Sequence, residues 1–142
     1  MLKILIAVDG SDNALRAIDY AVKQAPNYKN AFEIHLLNVQ LPVASGAVTR
    51  FVERSDLDRY YQDEGTALLA SARQRLDAAG LSHHHHICVG NYAETIVVFA
   101  KDKGCDMIMM GARGLGAVAG ILLGSVATGV IHLSAVPVLI VK

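Results

Sequence analysis

Cysteine occurs only twice in this 142-residue chain, and thirteen basic side chains are cancelled by thirteen acidic ones. The two thiols, Cys88 and Cys105, are too few for the disulfide framework of a small secreted domain, and they suit a reducing cytoplasm. A formal net charge of +0 gives no bulk attraction to a polyanion, so no nucleic-acid partner is expected. The run from Met1 to Val8 carries one Lys and stops at Asp9, without the length or cleavage pattern of a signal peptide.

One absence points the other way. From Gly114 to Val141 there is no Asp, Glu, Lys or Arg, a stretch long enough to cross a bilayer. Yet glycines, Ser125, Thr128, His132, Ser134 and Pro137 break it into loop, helix and strand pieces, so no membrane span is expected. Nor is there a Ser, His and Asp constellation for nucleophilic catalysis, and Asp56, Asp58, Asp63 and Glu64 read as a solvated helix face.

What is present is an alternation of apolar strands and amphipathic helices. Leu2 to Val8, Phe32 to Val39, His83 to Val89, Asp106 to Met110 and Pro137 to Val141 read as strands. A helix capped by Ser11 or Asp12 places Leu15, Ile18, Ala21, Val22 and Ala25 on one face and ends before Pro26. Beyond a loop marked by Pro42 and Gly46, a second helix runs from Asp56 with Leu57, Tyr61, Leu68, Ala72, Leu76 and Ala79 inward, and Gly80 ends it. Asn91 and Glu94 have capping-box spacing ahead of a third helix with Ala93, Ile96, Val97 and Ala100 inward, and Val126 to Leu133 forms a fourth. Such alternation predicts one α/β domain over residues 1–142, an open parallel sheet with helices on both faces.

Ligands of such sheets bind beyond the carboxyl ends of the strands, which selects Asp9, Val39 and the segment after Met110. That segment, MGARGLGAVAGILLGSVA, holds Gly111, Gly114, Gly116, Gly120 and Gly124 between a strand and a helix, where free backbone N–H groups and a helix dipole receive phosphate. It is not a Walker loop, because Ala117 stands where the Lys belongs. Gly114, Gly116 and Ala119 match the dinucleotide pattern, but no second Rossmann half follows them.

The spacing that does fit is Gly111, two residues, Gly114, nine residues, then Gly124 and Ser125. With Asp9-Gly10-Ser11 after the first strand, the LLNV and DMIMMG strands and the closing PVLIVK, the chain resembles the nucleotide-binding branch of the universal stress protein family. The resemblance implies a five-stranded sheet in the order 3-2-1-4-5 and an ATP pocket, with AMP or ADP as alternatives and Mg²⁺ accompanying ATP. It places Asp9, beside Val8, near the ribose, Val39 at the adenine edge, and Met110 with Gly111 on the pocket floor. Gly114, Gly124, Ser125 and Val126 would hold phosphates. Arg113 is the nearby cation, and Ala127 stands where relatives often offer Ser or Thr. A homodimer through the last strand and, at most, slow ATP hydrolysis are the further implications. The alternative is a stress interaction module without nucleotide, acting through its dimer surface.

Tyr60, Tyr61 and Tyr92 are expected to serve packing. His83 to His86 read as a solvated strand end, the competing reading being a metal set of His84, His86 and Cys88 on one strand face.

Overall fold

A strand that is apolar at nearly every position must be covered on both faces, and the first strand, β1 (Leu2–Ala7), in which Lys3 alone is charged, is the clearest case. The computed structural model describes residues 1–43, 53–116 and 118–142. In it β1 lies at the centre of a five-stranded sheet, with β2 (Phe32–Gln40) and the edge strand β3 (His83–Val89) on one side, and β4 (Met107–Gly111) and β5 (Val138–Val141) on the other. The order is β3-β2-β1-β4-β5 and every pairing is parallel, as expected. Ile4 aligns with Ile34 and Met107, and Ile6 with Leu36 and Met109.

Alternation along the strands divides the core in two. Ile4, Ile6, Ile34 and Leu36 pack with Ile18 of helix α1 (Asp12–Gln24) and with Leu69 and Leu76 of helix α2 (Arg54–Ala78). On the opposite face Leu5, Leu37, Ile108 and Met110 pack with Ile96 of helix α3 (Tyr92–Asp102) and Val130 of helix α4 (Ser125–Leu133). Among the described residues, no helix is long and apolar enough to cross a membrane.

Local chemistry explains the helix boundaries. Ser11 caps α1, its hydroxyl accepting from Ala14 N at 3.2 Å, and the chain tightens into a 3-10 turn over Ala25–Asn27, where Pro26 can donate no helical hydrogen bond. Helix α2 starts two residues earlier than Asp56, behind Glu53. The capping box of α3 does not form. Asn91 holds the N-cap position, but its amide turns toward the Glu94 carboxylate at 3.5 Å and neither side chain caps the backbone. The expected loop around Gly46 and the Ala117 position lie outside the described residues.

The inward face of α2 keeps Tyr61, Ala72 and Leu76, as expected, but differs at other positions. Tyr61, Gly65, Leu69, Ala72 and Leu76 are buried; Leu68 is only half-buried and Ala79 is exposed at the helix end. Leu68 and Leu69 are both apolar, so their neighbourhood in sequence does not distinguish them, whereas the sheet admits one and turns the other toward the carboxyl edge. Leu69→Ala should therefore cost about 2–5 kcal/mol in urea unfolding, and Leu68→Ala less than half of that. Equal losses would refute the assignment of Leu69 to the core and Leu68 to its edge.

Candidate functional site

The strand order reverses between β1 and β4, and the carboxyl ends of β1, β2 and β4 open there into one cavity of about 830 Å³. That is the size range of small-molecule clefts. Val8, Asp9, Val39, Met110, Gly111, Arg113, Gly114, Gly124, Ser125, Val126 and Ala127 all line it.

The first wall is held by a carboxylate. Asp9 Oδ1 accepts from Ser11 N at 2.9 Å, and Oδ2 accepts from Leu115 N at 3.0 Å. The end of β1 is thereby tied both to the start of α1 and to the loop after β4. Each oxygen keeps a second lone pair for a ligand hydroxyl. Gly114 is the consequence of this clamp, since a Cβ there would collide with the Asp9 carboxylate. Gly111 likewise has Asn13 so close that a Cβ would lie 2.7 Å from its carbonyl carbon. Two glycines expected to admit a ligand thus first admit other parts of the same chain.

The second wall is a helix start. Gly124, and not Ser125, occupies the N-cap position of α4, its N–H donating to Ala112 O at 2.8 Å. Thr128 donates to Gly124 O from both its N–H, at 3.0 Å, and its hydroxyl, at 2.9 Å. The N–H groups of Ser125, Val126 and Ala127 precede that first helical bond, so the helix provides them no acceptor. They carry the positive end of the dipole at the cavity wall.

Four residues at this site, Asn38, Gln40, Tyr60 and Tyr92, were not selected for it from the sequence. Asn38 is buried and donates to Val8 O at 2.9 Å; Gln40 donates to Asn38 Oδ1 at 3.2 Å and to Tyr61 O at 2.8 Å. This ladder of amides ties the end of β2 to β1 and α2, and its signal was two polar residues spaced by two at the carboxyl end of that strand. Tyr60 and Tyr92, expected to pack in the core, instead stand exposed at the cavity wall. Tyr61 is buried as expected, and its hydroxyl accepts from Val43 N at 2.8 Å. Among the described lining residues Arg113 is the only basic side chain, facing the same space as Asp9 and Glu64.

The histidines do not form a simple solvated strand end. His84, His86 and Cys88 share a face of β3, but Cys88 packs against the core beneath α3 and α4, where burial pushes its thiol up, and His86 turns to its neighbouring strand. There His35 Nδ1 lies 2.8 Å from His86 Nε2, and His35 Nε2 lies 2.8 Å from Glu33 Oε1. The bond from His35 holds the Glu33 carboxyl below its ordinary range, and burial pushes His86 down to about 4.

A model of the universal stress protein family matches residues 1–142. Universal stress protein YxiE of Bacillus subtilis is 31% identical over 145 residues, covering 99% of this chain and 98% of its own. The solved structure of MJ0577 from Methanocaldococcus jannaschii aligns with a TM-score of 0.84 at 33% identity, over 99% of this chain and 95% of its own. A universal stress protein solved in complex with cAMP aligns with a TM-score of 0.72 at 30% identity, over 99% and 97% of the two chains.

The Asp9 clamp predicts a cost independent of any ligand. Asp9→Asn keeps the shape but presents an NH2 group to one of two backbone donors, so urea unfolding of the ligand-free chain should show a loss of about 1–3 kcal/mol. An unchanged midpoint would mean that the carboxylate does not hold the loop.

Proposed function

The chain belongs to the universal stress protein family, and from that premise we propose that it is a regulatory stress protein that binds an adenine nucleotide, ATP or its di- or monophosphate, in the cavity at the carboxyl edge of the sheet. The observation that carries this reading is the convergence of the unpaired first-turn N–H groups of α4 with the Asp9 carboxylate and the end of β2 around one space. Anions bind at such helix starts without needing a Lys. The cAMP complex of a relative supports the adenine nucleotide class.

In this reading the phosphates lie against Gly114, Gly124 and the N–H groups of Ser125 to Ala127, with Arg113 as the cation. The ribose hydroxyls donate to Asp9, and the base lies toward Val39, with Tyr60 and Tyr92 at the mouth. Val8, Met110 and Gly111 supply the apolar floor. Mg²⁺ would enter with ATP through its phosphates, Asp9 and Glu64 being the acidic lining residues.

Calorimetric titration with ATP, ADP, AMP and cAMP, with GTP as the control, tests this. Ser125→Glu is the informative variant: an acid in the first turn favours the helix dipole but repels phosphate. It should weaken ATP by at least about tenfold, roughly 1.4 kcal/mol, and adenosine much less. No binding of any adenine nucleotide, or ATP binding untouched by Ser125→Glu, would overturn the assignment.

We further propose a homodimer through β5. That strand pairs with β4 on one side only, and it joins an apolar sequence to an open edge. Analytical ultracentrifugation at micromolar concentration should give the dimer mass; a monomer would remove this part alone.

A further inference from the structure

A second cluster of chemically capable side chains lies at the opposite end of the sheet from the nucleotide cavity. In β2 the odd-numbered residues Glu33, His35, Leu37 and Val39 share one face, and in β3 the even-numbered His84, His86 and Cys88 join them, because His35 registers with His84 and Leu37 with His86. Leu37, Val39 and Cys88 continue this face into the core beneath α3. At the amino end of the strands, therefore, the same face changes from apolar to imidazole and carboxylate. Glu33 and Val39 are six residues apart, about 20 Å along the strand, so the two sites share no residues.

Glu33, His35 and His84 each offer a ligand atom, and these atoms lie within 4.8 Å of one another. His35 is buried and its ring is held at both nitrogens, Nδ1 by His86 and Nε2 by Glu33, nearly coplanar with the His86 ring and nearly parallel to that of His84, 5.0 Å away between centroids. His86 in turn packs on Phe99 of α3 at 4.7 Å. Burying an imidazole among two others and a carboxylate contributes little to a hydrophobic core, but it pre-positions donors of borderline softness.

We propose that Glu33, His35 and His84 form a site for one Zn²⁺ ion. Two imidazoles and one carboxylate are a known tetrahedral zinc set that leaves the fourth position to water. The metal takes the place now filled by the hydrogen bond between His35 Nε2 and Glu33 Oε1. His35, ligating through Nε2, carries its remaining proton on Nδ1 and donates it to His86 Nε2, the outer hydrogen bond that orients a metal-bound imidazole. Lys3 is the competing cation, its Nζ 3.7 Å from Glu33 Oε1, but it also donates to Lys103 O at 2.9 Å and keeps that partner when the carboxylate turns to the metal.

This site is independent of the nucleotide reading, and it is tested without nucleotide. The full chain, free of any histidine tag and stripped with a chelator, is titrated calorimetrically with ZnCl₂, with Mg²⁺ as the hard-cation control. One equivalent of Zn²⁺ should bind and raise the melting temperature. His84→Asn, at an exposed position that leaves the fold intact by circular dichroism, and Glu33→Gln should each weaken binding about tenfold or more. His83→Asn with His85→Asn, on the other face of β3, should leave it unchanged. Absence of zinc binding by the unaltered chain, full affinity in His84→Asn, or loss in the His83 and His85 double variant would overturn the proposal.

Discussion

The constraint from which the rest of the molecule follows is that β1 must be covered on both faces. Leu5 and Ile6 are both fully buried although they point to opposite sides of the sheet. Satisfying both requires a helical layer on each side, α1 and α2 on one and α3 and α4 on the other. Right-handed crossovers can deliver those layers only if the chain leaves β1 toward β2 and β3, then returns past it to β4 and β5. The reversal of direction beside β1 is thus a by-product of core burial, and it opens the crevice in which a ligand fits.

That crevice brings three backbones together, and their polar groups must be answered before any ligand arrives. Asp9 answers N–H groups of Ser11 and Leu115, and Asn38 answers the carbonyl of Val8. At the start of α4 three successive N–H groups have no helical acceptor. The cavity thus sets the carboxylates of Asp9 and Glu64 and the Arg113 side chain around a corner that the start of α4 polarises positively. In the proposed reading, a chain with formal net charge +0 holds a phosphate group this way without attracting nucleic acid at large.

The sheet was legible because strand apolarity and helix periodicity are local signals, and so was the cavity, because its residues follow the strands directly. Legibility stopped where one partner in a contact lies far away in the chain. Asp9 and Leu115 are 106 positions apart, and Asn38 and Val8 thirty, so the family resemblance suggested a ribose ligand for Asp9 but nothing pointed to the loop it clamps. Leu68 and Leu69 are equally apolar neighbours, and only the position of the sheet decides which is core. The Asn91 and Glu94 pair had the right spacing, yet spacing does not dictate which donor an amide finds.

The histidine strand shows the same limit from the opposite direction. Along β3 alone, consecutive imidazoles alternate faces and no carboxylate is near, so the run supports no complete ligand set. Pairing with β2 supplies Glu33 and His35 from residues some fifty positions earlier, and the register that brings them is shared with buried or half-buried partners farther along, Asn38 with Ile87 and Val39 with Cys88. A one-residue slip would move His84 and His86 to the other face and expel Cys88 from the core. The packing at the carboxyl end of β2 and β3 therefore determines the chemistry at their amino end. The glycines follow the same logic, since Gly111 and Gly114 are required by Asn13 and Asp9 whether or not a nucleotide is present. Both clusters depend on side chains that the core has already placed in register.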